Sequence, residues 1–400
     1  MVARYRGLED GRGGAGSLIG VQITKKLRDF TLEVAFGLED TGCVALIGPT
    51  GCGKSMTLRC IAGLERPDVG RVEFAGRTLF DSANAVDEPP ERRRVGFVFQ
   101  DYALFPHMTV LENVSYGARA LGHSRSAAHR AARDAMALLG IGDLERQRPD
   151  RISGGQRQRT ALARAVASQA EVLLLDEPMA ALDTRTRRRV RFELRSLFRR
   201  IRIPSVIVTH DPEDALTLGD LICVLHEGRI LQAGTRRELL WRPRSRFLAE
   251  FMGLNLLHGR ARPISEHLSE VECGGQRFVA TGRVDAPACL TVKPSDVWIG
   301  REAPGHAGNR VEGTVAGLTY VGQAVRVTVE GAVALHAEVD LDEAEQMQLE
   351  PGQTVWASFA PERATCYEET DGWLNSPSSK LRSTSARSSS RDSVWRHSGG

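Results

Sequence analysis

Eight consecutive residues, Gly48-Pro49-Thr50-Gly51-Cys52-Gly53-Lys54-Ser55, constrain this chain more than any other stretch of it. The apolar run Val44-Ala45-Leu46-Ile47 precedes them and reads as a buried strand, and Met56-Thr57-Leu58-Arg59-Cys60-Ile61-Ala62 follows and reads as a helix. Between strand and helix, glycines let successive backbone N–H groups turn inward at angles that a side chain would forbid, which builds a cradle for a phosphate. The helix start adds its positive end, Lys54 is spaced to reach the outer phosphates, and the Ser55 hydroxyl is placed to ligate Mg²⁺. An ordinary glycine-rich turn needs neither the lysine nor the hydroxyl at those offsets. The feature predicts a nucleotide held in an α/β fold.

Five short runs are apolar throughout: 43–47, 95–99, 172–175, 205–208 and 221–225. Such runs belong to strands covered on both faces, so residues 18–250 predict a mostly parallel sheet flanked by helices. Between 104 and 150 the chain is rich in Ala and Leu without such a run, which predicts a helical subdomain inserted in the sheet. From 256 the texture changes to period-two alternation, as in Val325-Arg326-Val327-Thr328-Val329, Leu335-His336-Ala337-Glu338-Val339 and Val355-Trp356-Ala357-Ser358-Phe359. Residues 256–368 therefore predict one or two small β-barrels. The flanks, a glycine-rich 1–17 and a 376–400 stretch with ten serines, read as a flexible leader and a disordered tail.

Composition removes several classes. A net charge of +3 gives no argument for nucleic acid, and the nine arginines between Arg185 and Arg202 read as a solvated or interdomain face. No apolar run approaches the ~18 residues a membrane-spanning helix needs. The first residues, with Arg4, Arg6, Glu9, Asp10 and Arg12, lack the apolar core of a secretory signal. Cysteines 43, 52, 60, 223, 273, 289 and 366 show no CxxC spacing, which suits a reducing compartment; Cys52, inside the loop, is expected to be chemically accessible.

Two further motifs carry chemistry. In Val172-Leu173-Leu174-Leu175-Asp176-Glu177-Pro178 a buried strand ends in a carboxylate at the edge where ligands of α/β sheets bind. Asp176 is placed to hold Mg²⁺ and Glu177, one residue on, to deprotonate an attacking water. In Ile152-Ser153-Gly154-Gly155-Gln156-Arg157-Gln158-Arg159 a hydroxyl and two bare backbone amides open a helix, a second anion-binding geometry.

With these motifs, in this order, the chain resembles the ATP-binding subunits of ABC transporters over about 18–250; their signature sequence is Leu-Ser-Gly-Gly-Gln. The resemblance implies an α/β P-loop NTPase fold with an inserted helical subdomain (about 104–150), followed here by a small all-β, OB-like C-terminal domain at 256–368. It implies an ATPase that uses ATP and Mg²⁺, with nucleotide contacts from Gly48, Pro49, Thr50, Gly51, Cys52, Gly53, Lys54, Ser55 and Met56. Two copies are implied to close head-to-tail as a homodimer, the signature of one over the ATP of the other. Ser153, Gly154, Gly155, Gln156 and Asp183 then also contact nucleotide. Gln100, after the run 95–99, resembles the Q-loop glutamine that contacts Mg²⁺ or water; His210 resembles the switch histidine; Ala181-Leu182-Asp183 resembles the D-loop. The implied catalytic set is Glu177, His210 and Gln100, and the implied metal set is Ser55, Gln100 and Asp176.

Departures from the family pattern are specific. Ile152 replaces leucine at conserved volume. Met56 stands where threonine is common, and Ala180 removes a D-loop hydroxyl from the dimer interface. No aromatic lies between 18 and 29 to stack on adenine; the nearest, Phe30, reads as core.

The resemblance further implies an import-type subunit, peripheral at the cytoplasmic face of the inner membrane beneath separate permease subunits. An extracytoplasmic solute-binding protein would act indirectly, and nucleic acid has no part. Three segments resemble molybdate-type subunits: Arg77 to Gln100 (shared with iron and polyamine relatives), Lys293-Pro294-Ser295-Asp296-Val297, and Asn309-Arg310-Val311-Glu312-Gly313-Thr314-Val315, the last like the opening of a Mop/TOBE-like domain. Molybdate or tungstate is therefore the expected solute. Yet His306-Ala307-Gly308-Asn309 stands where Mop domains carry Ser-Ala-Arg-Asn, so the serine and arginine are missing. The alternatives are import of ferric iron, polyamine or sulfate, or a soluble ABC ATPase of translation or DNA repair. A single ATP-binding domain with 97 residues between Ser55 and Ser153 disfavours the soluble type. A bare oxyanion-binding module with a decayed ATPase conflicts with Lys54, Glu177 and His210.

Overall fold

The computed structural model describes residues 18–180, 182–303 and 308–369. The leader 1–17, the tail 376–400 and, among the motif residues, Ala181, His306 and Ala307 lie outside the described residues. In chain order the first part runs β1 (Ile19–Lys26), β2 (Thr31–Leu38), β3 (Cys43–Ile47), α1 (Lys54–Ala62), β4 (Val69–Phe74), β5 (Arg77–Asp81), β6 (Val86–Asp87), β7 (Val95–Val98), α2 (Val110–Ala120), α3 (Arg125–Leu138), α4 (Gly154–Ala167), β8 (Val172–Asp176), α5 (Thr184–Ile201), β9 (Ser205–Thr209), α6 (Pro212–Leu218), β10 (Leu221–His226), β11 (Arg229–Gly234), α7 (Arg236–Trp241) and α8 (Arg246–Phe251).

These strands form one sheet in the order β6-β5-β4-β1-β2-β11-β10-β3-β9-β8-β7. The five apolar runs make its parallel half, β10-β3-β9-β8-β7. There β3 and β9 are buried at every residue, as strands with helices on both faces must be. The rest of the sheet pairs antiparallel except where β2 meets β11 in parallel, so the mostly parallel sheet expected from the sequence describes chiefly one side. The reason lies in β1 and β2, whose burial alternates along the strand because one face is less covered. An uninterrupted apolar run announces a strand covered on both faces; β1 has none, and β2 has one only in its second half, Val34–Leu38.

Helices α2 to α4 pack beside the parallel half. A reciprocal cap, Thr109 to the Glu112 N–H and Glu112 back to the Thr109 N–H, starts α2. Val110, Val114, Ala132, Met136 and Leu162 of these helices join one core with Leu173 and Leu175 of β8. Helical subdomain and sheet thus share buried surface.

The second part contains β12 (Asn255–Pro263), β13 (Leu268–Cys273), β14 (Gln276–Thr281), β15 (Pro287–Val292), β16 (Trp298–Gly300), β17 (Asn309–Val321), β18 (Ala324–Gly331), β19 (Ala334–Asp340), α9 (Leu341–Gln346), β20 (Thr354–Phe359) and β21 (Ala364–Glu368). Strands β12-β13-β14-β21-β15 close a barrel, and β16-β20-β17-β18-β19 make a five-stranded sheet beside it. One core runs through both, with Phe278 stacked on Phe359 at 5.8 Å. Two buried asparagines join the pieces. Asn309 accepts from the Val279 N–H at 2.6 Å and donates to the Val279 carbonyl at 2.7 Å, and Asn255 makes the same pair with His336 at 2.6 and 2.7 Å. A carboxamide offers one acceptor and two donors in a plane, so each side chain completes a strand edge as a backbone would. Asn309 is the polar residue retained from the Mop-type motif, and both ends of its amide are used in this joint.

Among the described residues, no helix is long and apolar enough to cross a membrane.

Candidate functional site

The loop 48–53 leaves β3 at the carboxyl edge of the parallel half and ends at the start of α1. Two of its glycines are obligatory. A Cβ on Gly48 would stand 2.0 Å from the Leu225 carbonyl oxygen, and Gly53, at φ +107°, would drive a Cβ to 2.7 Å from Leu32. The turn after β10 braces the loop, the Gly228 N–H donating to the Cys52 carbonyl at 3.2 Å. Lys54 is buried, and its ammonium donates to the carbonyls of Gly48 at 2.9 Å and Pro49 at 2.8 Å. Among the described residues no carboxylate pairs with it. A cation held at the mouth of a ring of amides is an anion site by charge as well as by geometry. Thr50 and Gly51 are exposed at the loop's outer turn, while Pro49 and Gly53 are half-buried.

Two members of the loop differ from expectation. Cys52 is 5% exposed and burial pushes its thiol up, against the lowering pull of Lys54, so the accessible cysteine expected from the sequence is a packed one. Met56 packs against the hydrophobic core, which leaves its backbone, not its side chain, for a ligand. Phe30 is half-buried in the same core with its ring edge beside Gly53 and Gly228, at the border of the phosphate loop.

Beside the loop, the Ser55 hydroxyl donates to Asp176 Oδ1 at 2.7 Å, so two hard oxygens meet across 121 residues of chain. Burial pushes the Asp176 carboxyl above the usual aspartate range; the Ser55 hydrogen bond opposes the shift and the neighbouring Glu177 charge adds to it. Glu177 adopts φ +44°, a left-handed conformation a glutamate rarely takes, directly after β8. The turn brings Glu177 Oε2 to 3.2 Å from His210 Nδ1, which follows β9. Four side chains from three separate segments thus converge at one edge: Ser55 from α1, Asp176 and Glu177 from the end of β8, and His210 after β9. Gln100, in the turn that follows β7, the strand adjoining β8, is exposed and makes no hydrogen bond to that group among the described residues.

The second anion motif is differently used. Ser153 caps α4, accepting from the Gln156 N–H at 3.3 Å while Gln156 Oε1 accepts from the Ser153 N–H at 2.8 Å. Ser153 Oγ thus already serves as an acceptor, and the uncommitted donors of this helix start are its first backbone amides, Gly154 and Gly155 among them. Neither motif half hydrogen-bonds to residues 48–55 among the described residues. Asp183 caps α5, accepting from Thr186 N–H at 3.0 Å.

Sequence reasoning missed what positions His210. Arg187 and Arg191 of α5 reach Asp211 Oδ2 at 3.4 and 3.3 Å, and Arg191 also holds Glu213 at 2.5 Å and the buried Asp214 at 2.6 Å. Asp214 in turn accepts from Thr209 at 3.2 Å, immediately before the histidine. Two of the arginines read as a solvated or interdomain face, Arg187 and Arg191, thus clamp the segment after His210, while Arg188, Arg189, Arg199, Arg200 and Arg202 are exposed. The spacing 187, 191, 195 at helical intervals was the available signal.

Comparison with known proteins agrees with this geometry. Residues 32–180 match the family model described as ABC transporter, and residues 306–365 match the TOBE domain model. The spermidine/putrescine import ATP-binding protein PotA of Thermobifida fusca is 37% identical over 328 residues, covering 80% of this chain and 84% of its own length. The chain belongs to the ABC transporter ATP-binding family. It is an ATPase, with an ATP-binding cassette of the P-loop fold and a C-terminal all-β TOBE domain. The Fe(3+) ions import ATP-binding protein FbpC of Brucella abortus is 39% identical over 320 residues, covering 79% of this chain and 88% of its own length. Among solved structures, cbiO1 from Clostridium perfringens, part of the ABC transporter complex cbiONQ, matches with a TM-score of 0.50 at 26% identity, covering 56% of this chain and 90% of that one.

Proposed function

We propose that this chain hydrolyses ATP as a head-to-tail homodimer beneath separate permease subunits at the cytoplasmic face of the inner membrane, and so drives import. The observation that carries the reading is the convergence of Ser55, Asp176, Glu177 and His210 beside the phosphate loop. ATP phosphates would take the amides of 48–53, and Lys54 would exchange the carbonyls of Gly48 and Pro49 for phosphate oxygens. Ser55 Oγ and Asp176 Oδ1 are hard oxygen donors that fit Mg²⁺, which when bound neutralises charge on the outer phosphates. Gln100 would complete that set. Glu177 would accept the proton of the attacking water on Oε1 while His210 steadies Oε2. The Ser153-Gly154-Gly155 amides, remote from their own loop's hydrogen bonds, would close on the ATP of the other copy, with Asp183 lining the same interface.

For the solute we propose a cation, ferric iron or a polyamine, because the similar proteins carry those names. The oxyanion reading keeps little support. Asn309 is used up against Val279, Arg310 lies over the Trp356 ring at 5.9 Å, and the Gly313 backbone is paired in the sheet. The test is uptake by proteoliposomes that contain this chain with its permease and are supplied with the solute-binding protein. ATP-dependent entry of iron or spermidine is expected; entry of molybdate alone would overturn the assignment.

A further inference from the structure

Cys289 lies in the middle of β15 and is fully buried, yet it is not part of the barrel core that its neighbours Ala288 and Leu290 belong to. Strand alternation explains this: Ala288 and Leu290 face inward, and Cys289 faces out. Directly opposite it, in register, stand His258 of β12 on one side and Tyr367 of β21 on the other. Glu369, one residue beyond β21, folds its carboxylate over the same spot, its own N–H fixed to the Pro287 carbonyl at 3.0 Å. The result is three donors of different kinds with their ligand atoms all within 4.8 Å of one another: His258 Nδ1, Cys289 Sγ and a Glu369 oxygen.

We propose that His258, Cys289 and Glu369 form a binding site for a zinc-like divalent cation on the outer wall of the barrel. The distances suit ligation as well as an ion pair. Tetrahedral ligation at ordinary zinc bond lengths puts imidazole nitrogen and carboxylate oxygen about 3.4 Å apart, and nitrogen and sulfur about 3.6 Å apart. The observed separations are 3.0 Å for His258 Nδ1 to Glu369 Oε1 and 3.8 Å for His258 Nδ1 to Cys289 Sγ. Each is a few tenths of an ångström from the ligating value, within the reach of a side-chain adjustment. An exposed His–Glu pair alone is worth about 0–1 kcal/mol and leaves the Cys289 thiol, 3.8 Å from the same nitrogen, with Tyr367 as its other polar neighbour. The donor set also selects the ion: one thiol, one imidazole and one carboxylate suit zinc, whereas Ca²⁺ and Mg²⁺ take oxygen. On binding, the Cys289 proton leaves to solvent, the His258 proton sits on Nε2, and water takes the fourth position.

The site lies at a joint. Tyr367, beside Cys289, donates its hydroxyl to the Pro243 carbonyl at 2.6 Å, in the segment between α7 and α8. A cation there would tie the last described strand of the barrel to its first, next to that contact.

The test is a titration of the full chain, stripped with chelator, first with Co²⁺ and then with Zn²⁺. One equivalent of Co²⁺ should raise a near-ultraviolet thiolate-to-cobalt band that Zn²⁺ then bleaches. Cys289→Ala should abolish the band. His258→Ala and Glu369→Gln should weaken binding by at least about 10–100-fold, the range for losing even an outer partner of a metal site. All three variants should hydrolyse ATP at the parent rate, which also reports that they fold. No thiolate band, or a band that survives Cys289→Ala through another of the cysteines, would overturn the proposal.

Discussion

The phosphate loop and the Asn309 joint are built from the same materials, backbone amides and one polar side chain, and put them to opposite uses. At the joint every donor and acceptor is matched: Asn309 answers both groups of Val279, and Asn255 both groups of His336. At the loop the matches are poor by the same standard. Lys54 is buried on carbonyls with no carboxylate partner among the described residues, Asp176 is held above its ordinary range by burial, and Glu177 sits at φ +44°. Groups kept in such states cost stability and persist where the surrounding fold over-determines them. The ATP-binding half therefore holds reactive groups in reserve, while the Asn309 region spends its polar groups on holding together.

The largest effect that could break this comparison is on turnover. Glu177→Gln should keep ATP binding, lower hydrolysis by roughly 10²–10⁴-fold, the scale of a lost general base, and accumulate an ATP-bound dimer. Near-normal hydrolysis in single-turnover assays would show that the strained glutamate is structural after all. A smaller effect belongs to the joint. Asn309→Ala leaves the Val279 N–H and carbonyl without partners, and should destabilise the C-terminal region by about 1–3 kcal/mol without changing the ATPase rate of the folded chain. Unchanged melting of that region by calorimetry would mean that the asparagine is free for a ligand, and would restore the oxyanion reading.

What the sequence made legible follows from this contrast. The phosphate loop, the acidic strand end and the signature each need particular residue types at fixed offsets, because backbone geometry or a metal demands them, so they could be read without a structure. The inward alternation of 325–329, 335–339 and 355–359 was legible for the same reason and appears as β18, β19 and β20. Contacts across long stretches of chain were not. The spacing 187, 191, 195 marks one helix face but does not name Asp214 as its partner, nothing near Asn309 announces Val279, and the φ of Glu177 leaves no mark in its neighbours. Cys52 was misread because its position in the loop says nothing of which way the thiol turns; it turns into the core. The antiparallel part of the sheet was not legible because β1 alternates apolar residues with Gln22, Thr24 and Lys26, and β2 opens on Thr31 and Glu33, a weaker signal than a strand apolar from end to end.

The central claim is that each working ATP site takes its phosphate loop from one copy and its Ser153-Gly154-Gly155 amides from the other. Mixing Lys54→Ala chains with Ser153→Arg chains tests it most directly. Each variant alone should be inactive, and an equal mixture should recover about a quarter of the parent ATPase rate, since half of the closed twofold pairs are mixed and each mixed pair has one intact site of two. A mixture as inactive as its components, under conditions where sedimentation shows mixed dimers with ATP, would contradict the account.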